Sequence, residues 1–289
     1  MSDKEVDKFT GVETTGHEWD GIKELNNPLP RWWLWTFYAT IIFSIGYVAY
    51  YPAIPLVSSV TQGISGITNR QIVEQDLKAA KLAKSGMFAK IISTDLEEIR
   101  TTDELFRFSV AGGKSLFKVY CTQCHGSGAQ GAPGYPNLND DDWLWGGDLE
   151  AIYTSIKHGV RNTEDDDARI SDMPAFGEDD ILEPAVIKSI AHKVLGLAGL
   201  DHDAKLADQG SEAYLENCSD CHGEAGKGDI ELGAPNLTDA IWFYGDKPDE
   251  IIAQISAPRH GVMPAWGERL GEASVKQLAV YIHSLGGGL

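Results

Sequence analysis

Positions Trp32 to Tyr51 are almost all apolar or aromatic, and the charge-free run that contains them extends to Asn69. At about 1.5 Å rise per residue, this stretch as a helix reaches roughly 30 Å, one hydrocarbon thickness. Trp32, Trp33 and Trp35 mark one end and Tyr47, Tyr50 and Tyr51 the other, as aromatic belts do at membrane interfaces. Pro52 and Pro55 then stop the helix. The pattern predicts a transmembrane helix over 32–54. A signal peptide has a short basic head and a small-residue cleavage site; here a mostly acidic segment precedes the run, which reads as a retained anchor. Lys23 and Arg31 lie before the span against Arg70 after it, so segment 1–31 is expected in the cytoplasm. Thr36, Thr40 and Ser44 recur every fourth residue. They could let a partner helix approach closely, or bond to carbonyls of their own helix.

Past the anchor the periodicity becomes amphipathic. Ile187, Ile190, Ala191, Val194 and Leu195 follow the i, i+3, i+4, i+7, i+8 spacing, and Val275, Leu278, Ala279 and Ile282 do likewise. Gly196 and Gly286 fit the ends of these helices. Further helices are expected around Gly113 to Tyr120 and Ala207 to Asn217, with Gly- and Pro-rich loops and little strand pattern between. These elements belong to a duplication. The stretch Val119 to Gly126 (VYCTQCHG) returns as Glu216 to Gly223 (ENCSDCHG), an offset of 97 residues (218 − 121). Tyr135 to Leu138 matches Ala234 to Leu237, Trp143 to Gly146 matches Trp242 to Gly245, and Lys157 to Val160 matches Arg259 to Val262. Met173 to Gly177 (MPAFG) matches Met263 to Gly267 (MPAWG). Landmarks in one order define two homologous modules, 105–198 and 204–289, of ordinary domain size. Residues 55–104 form a connector, charged and partly helical from Arg70 onward.

Composition narrows the function. Hydrophobic residues make up 43% and charged ones 23%, which is globular. The formal charge of −19 lacks the basic footprint of a nucleic-acid binder and favours a basic partner. Modules this small and mostly helical are poor in core, so something else must fill their centres.

All four cysteines fall in two Cys-x-x-Cys-His units, Cys121, Cys124, His125 and Cys218, Cys221, His222. Positions i and i+3 of a helix offer two thiols to one face, where each can take a porphyrin vinyl group as a thioether while the adjacent imidazole ligates the iron. A four-cysteine zinc site expects pairs about 15–20 residues apart, and a thioredoxin-like pair expects a βαβ context; neither is present. The reading is two covalently bound haem c groups on tandem class I cytochrome c-like domains, a mostly α fold behind one anchor. The macrocycles would supply the missing core. Met173 and Met263, at equivalent positions before proline, are the candidate sixth ligands, which raise the potential and close the iron to substrates. His158 and His260 are rival ligands, or bond locally near the haem edge. Separations within each module suit pairing of a methionine with its own Cys-x-x-Cys-His unit, while the short connection around Gly199 to Ala204 also permits a crosswise exchange. The runs Asp140 to Asp142 and Glu164 to Asp167 lack the spacing of a calcium loop and read as solvated acidic loops able to steer a basic cytochrome. Haem attachment on the exported side of a bacterial membrane would make residues after about 55 periplasmic, in keeping with the charge bias at the anchor.

The sequence resembles the membrane-anchored dihaem c subunit of cbb3-type cytochrome c oxidases. The resemblance rests on Gly16 to Trp33 (GHEWDGIKELNNPLPRWW) and on the paired modules with their Met-Pro-Ala motifs. It implies an electron-transfer subunit in the bacterial inner membrane with no catalysis of its own. Electrons would enter from a cytochrome c or a quinol–cytochrome c oxidoreductase and leave toward a monohaem subunit and the haem–copper subunit that reduces O2. Cys121, Cys124, Cys218 and Cys221 would hold the haems, with His125 and His222 proximal and Met173 and Met263 distal. The alternatives are a free-standing anchored dihaem shuttle or a dehydrogenase haem subunit, and a dihaem peroxidase with one open iron.

Overall fold

A computed structural model of the chain describes residues 5–287. They form two units, one up to Ala83 and one from Lys84 onward. In the first, strands β1 (Thr14–Trp19) and β2 (Ile22–Leu25) pair antiparallel, joined by Asp20 (φ 47°) and Gly21 (φ 84°). Asp-Gly with both residues in the left-handed region is the two-residue hairpin turn whose twist suits the flanking strands. The hairpin was not anticipated from the periodicity, although this dipeptide signals it.

Helix α1 (Arg31–Tyr50) has no buried residue and is the one helix among the described residues long and apolar enough to cross a bilayer. It ends before Pro52, because a residue preceding proline is pushed out of the α region. Its last carbonyls are not left orphaned. Ile64 N–H donates to Ala49 O at 3.1 Å and Ser65 N–H to Tyr50 O at 2.9 Å, so the following loop folds back over the helix end. The hydroxyls of Thr36, Thr40 and Ser44 donate to Trp32 O, Phe37 O and Thr40 O at 3.0, 2.7 and 2.8 Å. They satisfy their own helix. Helix α2 (Asn69–Ser93) carries the charged connector.

The second unit holds α3 (Leu96–Thr101), α4 (Asp103–Tyr120), α5 (Thr122–His125), α6 (Leu149–His158), α7 (Pro184–Leu197), α8 (Ala204–Gln209), α9 (Ser211–Asn217), α10 (Ser219–His222), α11 (Pro248–Ser256), α12 (Gly267–Leu270) and α13 (Glu272–His283). Asp95, Asp148 and Asp203 accept from backbone N–H groups at the starts of α3, α6 and α8, and Pro184 opens α7. At the end of α7, Gly196 stays helical. Gly199 (φ 71°) takes the left-handed position and Leu200 N–H reaches back to Leu195 O at 2.9 Å, closing the helix two residues later than its pattern indicates.

Two hydrophobic cores result. The first gathers Phe117, Leu149, Ile152 and Ile156 with Val275, Leu278, Ala279 and Ile282. The second gathers Ile187, Ile190 and Val194 with Tyr214, Ile251 and Ile255. The closing helix of each repeat therefore packs on the other repeat: α13 lies on α4 and α6, and α7 on α8, α9 and α11. The repeats 105–198 and 204–289 are each divided between the two cores. Glycines set the crossings. A Cβ on Gly113 of α4 would sit 2.2 Å from Gln277 O, and one on Gly210 would sit 2.3 Å from Ser189 O. The two positions are 97 residues apart (210 − 113), the offset of the duplication, so each crossing brings backbones together at the same place.

Candidate functional site

Each Cys-x-x-Cys-His unit occupies a single helical turn, α5 or α10, directly after the helix that its crossing glycine anchors. Cys121 is half-buried and Cys218 buried, while Cys124 and Cys221 are exposed, and all four thiols are free. Burial, reinforced by the neighbouring cysteine, pushes both inner thiols up to about 11. They are neutral at physiological pH, unlike the low-pKa thiolate of a redox-active Cys-x-x-Cys.

His125 Nδ1 lies 3.1 Å from Pro136 O and His222 Nδ1 lies 3.0 Å from Pro235 O. A carbonyl can only accept, so Nδ1 carries the proton and Nε2 is left with its lone pair. Burial also holds both imidazoles below their ordinary pKa, which keeps them neutral. A neutral histidine with its other nitrogen tied to a carbonyl is the state in which imidazole binds a metal. The two prolines belong to the repeat landmarks, where their position in the pattern does not disclose this role.

Both units open into one continuous cavity of about 610 Å³, whose walls include Cys121, His125, Met173, Cys218, His222 and Met263. The methionines are exchanged. Met263 packs against the first core, which Cys121 also borders, and Met173 against the second, which contains Cys218. Backbone bonds hold the exchange. Met263 N–H donates to Val160 O at 2.9 Å, Val160 N–H to Met263 O at 3.0 Å, and Trp266 N–H to Ile156 O at 3.1 Å. On the other side Gly177 and Glu178 both donate to Ser256 O, at 3.1 and 3.0 Å. Each Met-Pro-Ala loop thus caps the helix end, α6 or α11, of the opposite repeat. The rival histidines separate here. His158 is bonded to Asp165 at 3.0 Å and lies off the cavity wall; His260 lines the wall, with Nδ1 3.9 Å from Asp172.

The walls fit a flat apolar ring that carries carboxylates. Phe117, Trp143, Tyr214 and Trp242 supply apolar surface. Trp145 lines the cavity with its indole N–H buried and unpartnered, and the guanidinium groups of Arg161 and Arg259 border the same space. A porphyrin brings carboxylate acceptors suited to such donors. Trp145 and Arg161 were not singled out from the sequence. Trp145 sits within a repeat landmark, and Gly233 has no room for a side chain because a Cβ would lie 2.3 Å from its ring.

The acidic runs are not wholly solvated. Glu164 pairs with Arg269 at 2.6 Å, and Asp142 is half-buried on the cavity wall. Burial, then Asp239 and Asp140, raise the Asp142 carboxyl from 3.8 to about 6. A carboxyl raised in the folded state holds its proton more tightly there than when unfolded. Its contribution to stability therefore declines as pH rises through that interval and is lowest above it. Asp142→Asn is expected to stabilise the protein at pH 7 by on the order of 1 kcal/mol, after allowing for solvent screening, and to change little at pH 4. Unfolding midpoints at the two pH values check this.

Residues 11–58 match the family described as the N-terminal domain of cytochrome oxidase-cbb3, FixP, and residues 109–192 and 205–282 match cytochrome c oxidase, cbb3-type, subunit III. The cbb3-type cytochrome c oxidase subunit FixPc of Rhizobium leguminosarum bv. viciae is 51% identical over 288 residues, covering 100% of both chains. Subunit FixP of Rhizobium meliloti (strain 1021) is 52% identical over 285 residues, 99% of this chain and 98% of that one. Subunit CcoP of Cereibacter sphaeroides is 49% identical over 275 residues, 95% of each.

Proposed function

Because the chain belongs to the cbb3-type cytochrome c oxidase subunit III family, we propose that it is the membrane-anchored electron-transfer subunit of such an oxidase, with two c-type haems. It accepts electrons from a cytochrome c donor and delivers them toward the monohaem subunit and the haem–copper subunit that reduces O2. The observation that carries this reading is the pair of Cys-x-x-Cys-His turns, each with its imidazole preset by a proline carbonyl, opening into one cavity whose walls hold two methionines. Haem c, when bound, supplies an iron that gains and loses single electrons at a potential its axial ligands tune.

The chain's own residues do the rest. Cys121 and Cys124 hold one haem and Cys218 and Cys221 the other, with His125 and His222 as proximal ligands. Met263 would serve the first and Met173 the second, a crosswise ligation supported by the core each methionine packs against. Thioethers from Met173 and Met263 would leave no open iron position for peroxide or O2, which supports a subunit without catalysis of its own and disfavours the peroxidase reading. Both Cys-x-x-Cys-His turns line one cavity, which supports two centres acting in series. The N-terminal segment is cytoplasmic and residues beyond the anchor are periplasmic, where most of the chain's formal charge of −19 lies and would steer a basic donor.

Two measurements test this. Cys121→Ala with Cys124→Ala is expected to halve the covalently bound haem per chain, leaving the second site filled; an unchanged haem count would sink the assignment. Oxidase assembled without this subunit should stop oxidising reduced cytochrome c while an artificial donor still feeds the catalytic core. Retained cytochrome c oxidation would refute the proposed role.

A further inference from the structure

The duplication is broken at one place. In the second repeat Met263 follows Val262 directly, whereas in the first, residues 161–172 intervene between Val160 and Met173 and have no counterpart. Arg161 opens this insertion. It adopts φ 50°, the left-handed region that a long side chain enters only when its surroundings impose it. Two backbone contacts impose it here: Arg161 N–H donates to Arg169 O at 2.8 Å, and Arg169 N–H to Gly159 O at 3.1 Å. The result aims a half-buried guanidinium at both methionine loops. Its Nε donates to Gly261 O at 2.8 Å and its Nη1 to Ser171 O at 3.0 Å. Gly261 and Ser171 each stand two residues before a candidate distal methionine, Met263 and Met173. No carboxylate comes within ion-pair distance of Arg161 among the described residues. The cation borders the cavity, with the Asp172 carboxylate on the same wall acting on it from beyond ion-pair distance.

We infer that Arg161 is a shared positioning residue, one guanidinium that clamps both distal-methionine loops and so sets the ligation and potential of the two haem sites together. The inference rests on the proposed methionine ligation. The planar fork is what permits it, since Nε and Nη1 diverge toward two carbonyls on different chain segments at once. A charge held near both sites in a partly desolvated cavity also favours the reduced over the oxidised state of each.

The test uses the full chain with haem attached, in detergent, and reads the near-infrared charge-transfer absorption of methionine-ligated ferric haem, normalised to covalently bound haem. Met173→Leu and Met263→Leu are each expected to remove one site's share. Arg161→Gln is expected to drop the absorption below that left by either methionine variant, and to lower both midpoint potentials. Arg161→Lys, which keeps the charge but cannot reach both carbonyls, should lose the absorption similarly while its potentials stay nearer the unsubstituted protein's. An Arg161→Gln absorption that is unchanged, or reduced only by a single site's share, overturns the shared clamp. A full-strength absorption in Arg161→Lys overturns it as well. If the two methionine variants themselves leave the absorption intact, the ligand assignment fails instead, whatever Arg161 does.

Discussion

Met263→Leu is expected to strip the sixth ligand from the haem proposed at Cys121 and Cys124, far away in sequence, and to leave the one proposed at Cys218 and Cys221 low-spin. Leucine nearly conserves the volume of methionine, so the packing cost in the first core should stay under about 1.5 kcal/mol. The spectral change should nevertheless be complete at that site, because a hydrocarbon offers iron no lone pair. The background that makes the result unambiguous is Cys218→Ala with Cys221→Ala, which leaves one haem. There Met263→Leu should abolish the methionine-ligated spectrum and Met173→Leu should preserve it. The opposite pattern would restore pairing within each repeat. The expectation follows from the two backbone bonds between Met263 and Val160 and from Trp266 N–H on Ile156 O, which seat the second Met-Pro-Ala loop on the end of α6.

Gly113→Val is expected to cost about 3 kcal/mol or more and to lower the yield of haem-loaded protein. Overpacking a core by a methylene or two typically costs about 1–3 kcal/mol, when side chains can adjust. Here the first added carbon would lie 2.2 Å from the backbone oxygen of Gln277, and Tyr281 Cβ stands 2.5 Å away. The helices themselves must part. Separating α4 from α13 opens the core that Cys121 borders and loosens the loop carrying Met263, so stability and ligation should fail together. Gly86→Ala provides the contrast. It is helical, a Cβ there meets nothing within 4 Å, and the substitution should be neutral or stabilise by up to about 1 kcal/mol. Thermal unfolding of the haem-loaded chain, with covalent haem content measured alongside, distinguishes the two. A Gly113→Val protein as stable as the unsubstituted chain would show that the crossing is not close-packed.

The apolar span and the Cys-x-x-Cys-His turns were legible in the sequence because their signals are local. A membrane span is a length of uninterrupted apolar residues, and Cys-x-x-Cys-His places its three groups on one helical turn wherever that turn sits. The Asp20-Gly21 turn was equally local, yet the strands beside it are short and polar and carry little alternation to mark them. Asp142 was harder to read. Its run is acidic, which normally means solvent, yet the residue is half-buried on the cavity wall and feels the charge of Asp239, far away in sequence. Arg161 lay in plain view as the first residue of an insertion, but its two partners belong to loops that meet in space alone.

By itself the sequence marked the anchor, several of the helices, the duplication and the residues proposed to hold the haems. Each of these depends on residues within a turn or two of one another, or on self-similarity along the chain. The tertiary structure decided which methionine faces which cysteine pair. Two homologous repeats present nearly equivalent apolar faces, so α7 and α13 can each satisfy either core by periodicity. The choice between own and opposite repeat falls to loop hydrogen bonds and glycine-permitted backbone contacts, which involve residues roughly 100 positions apart and leave no pattern in either segment alone.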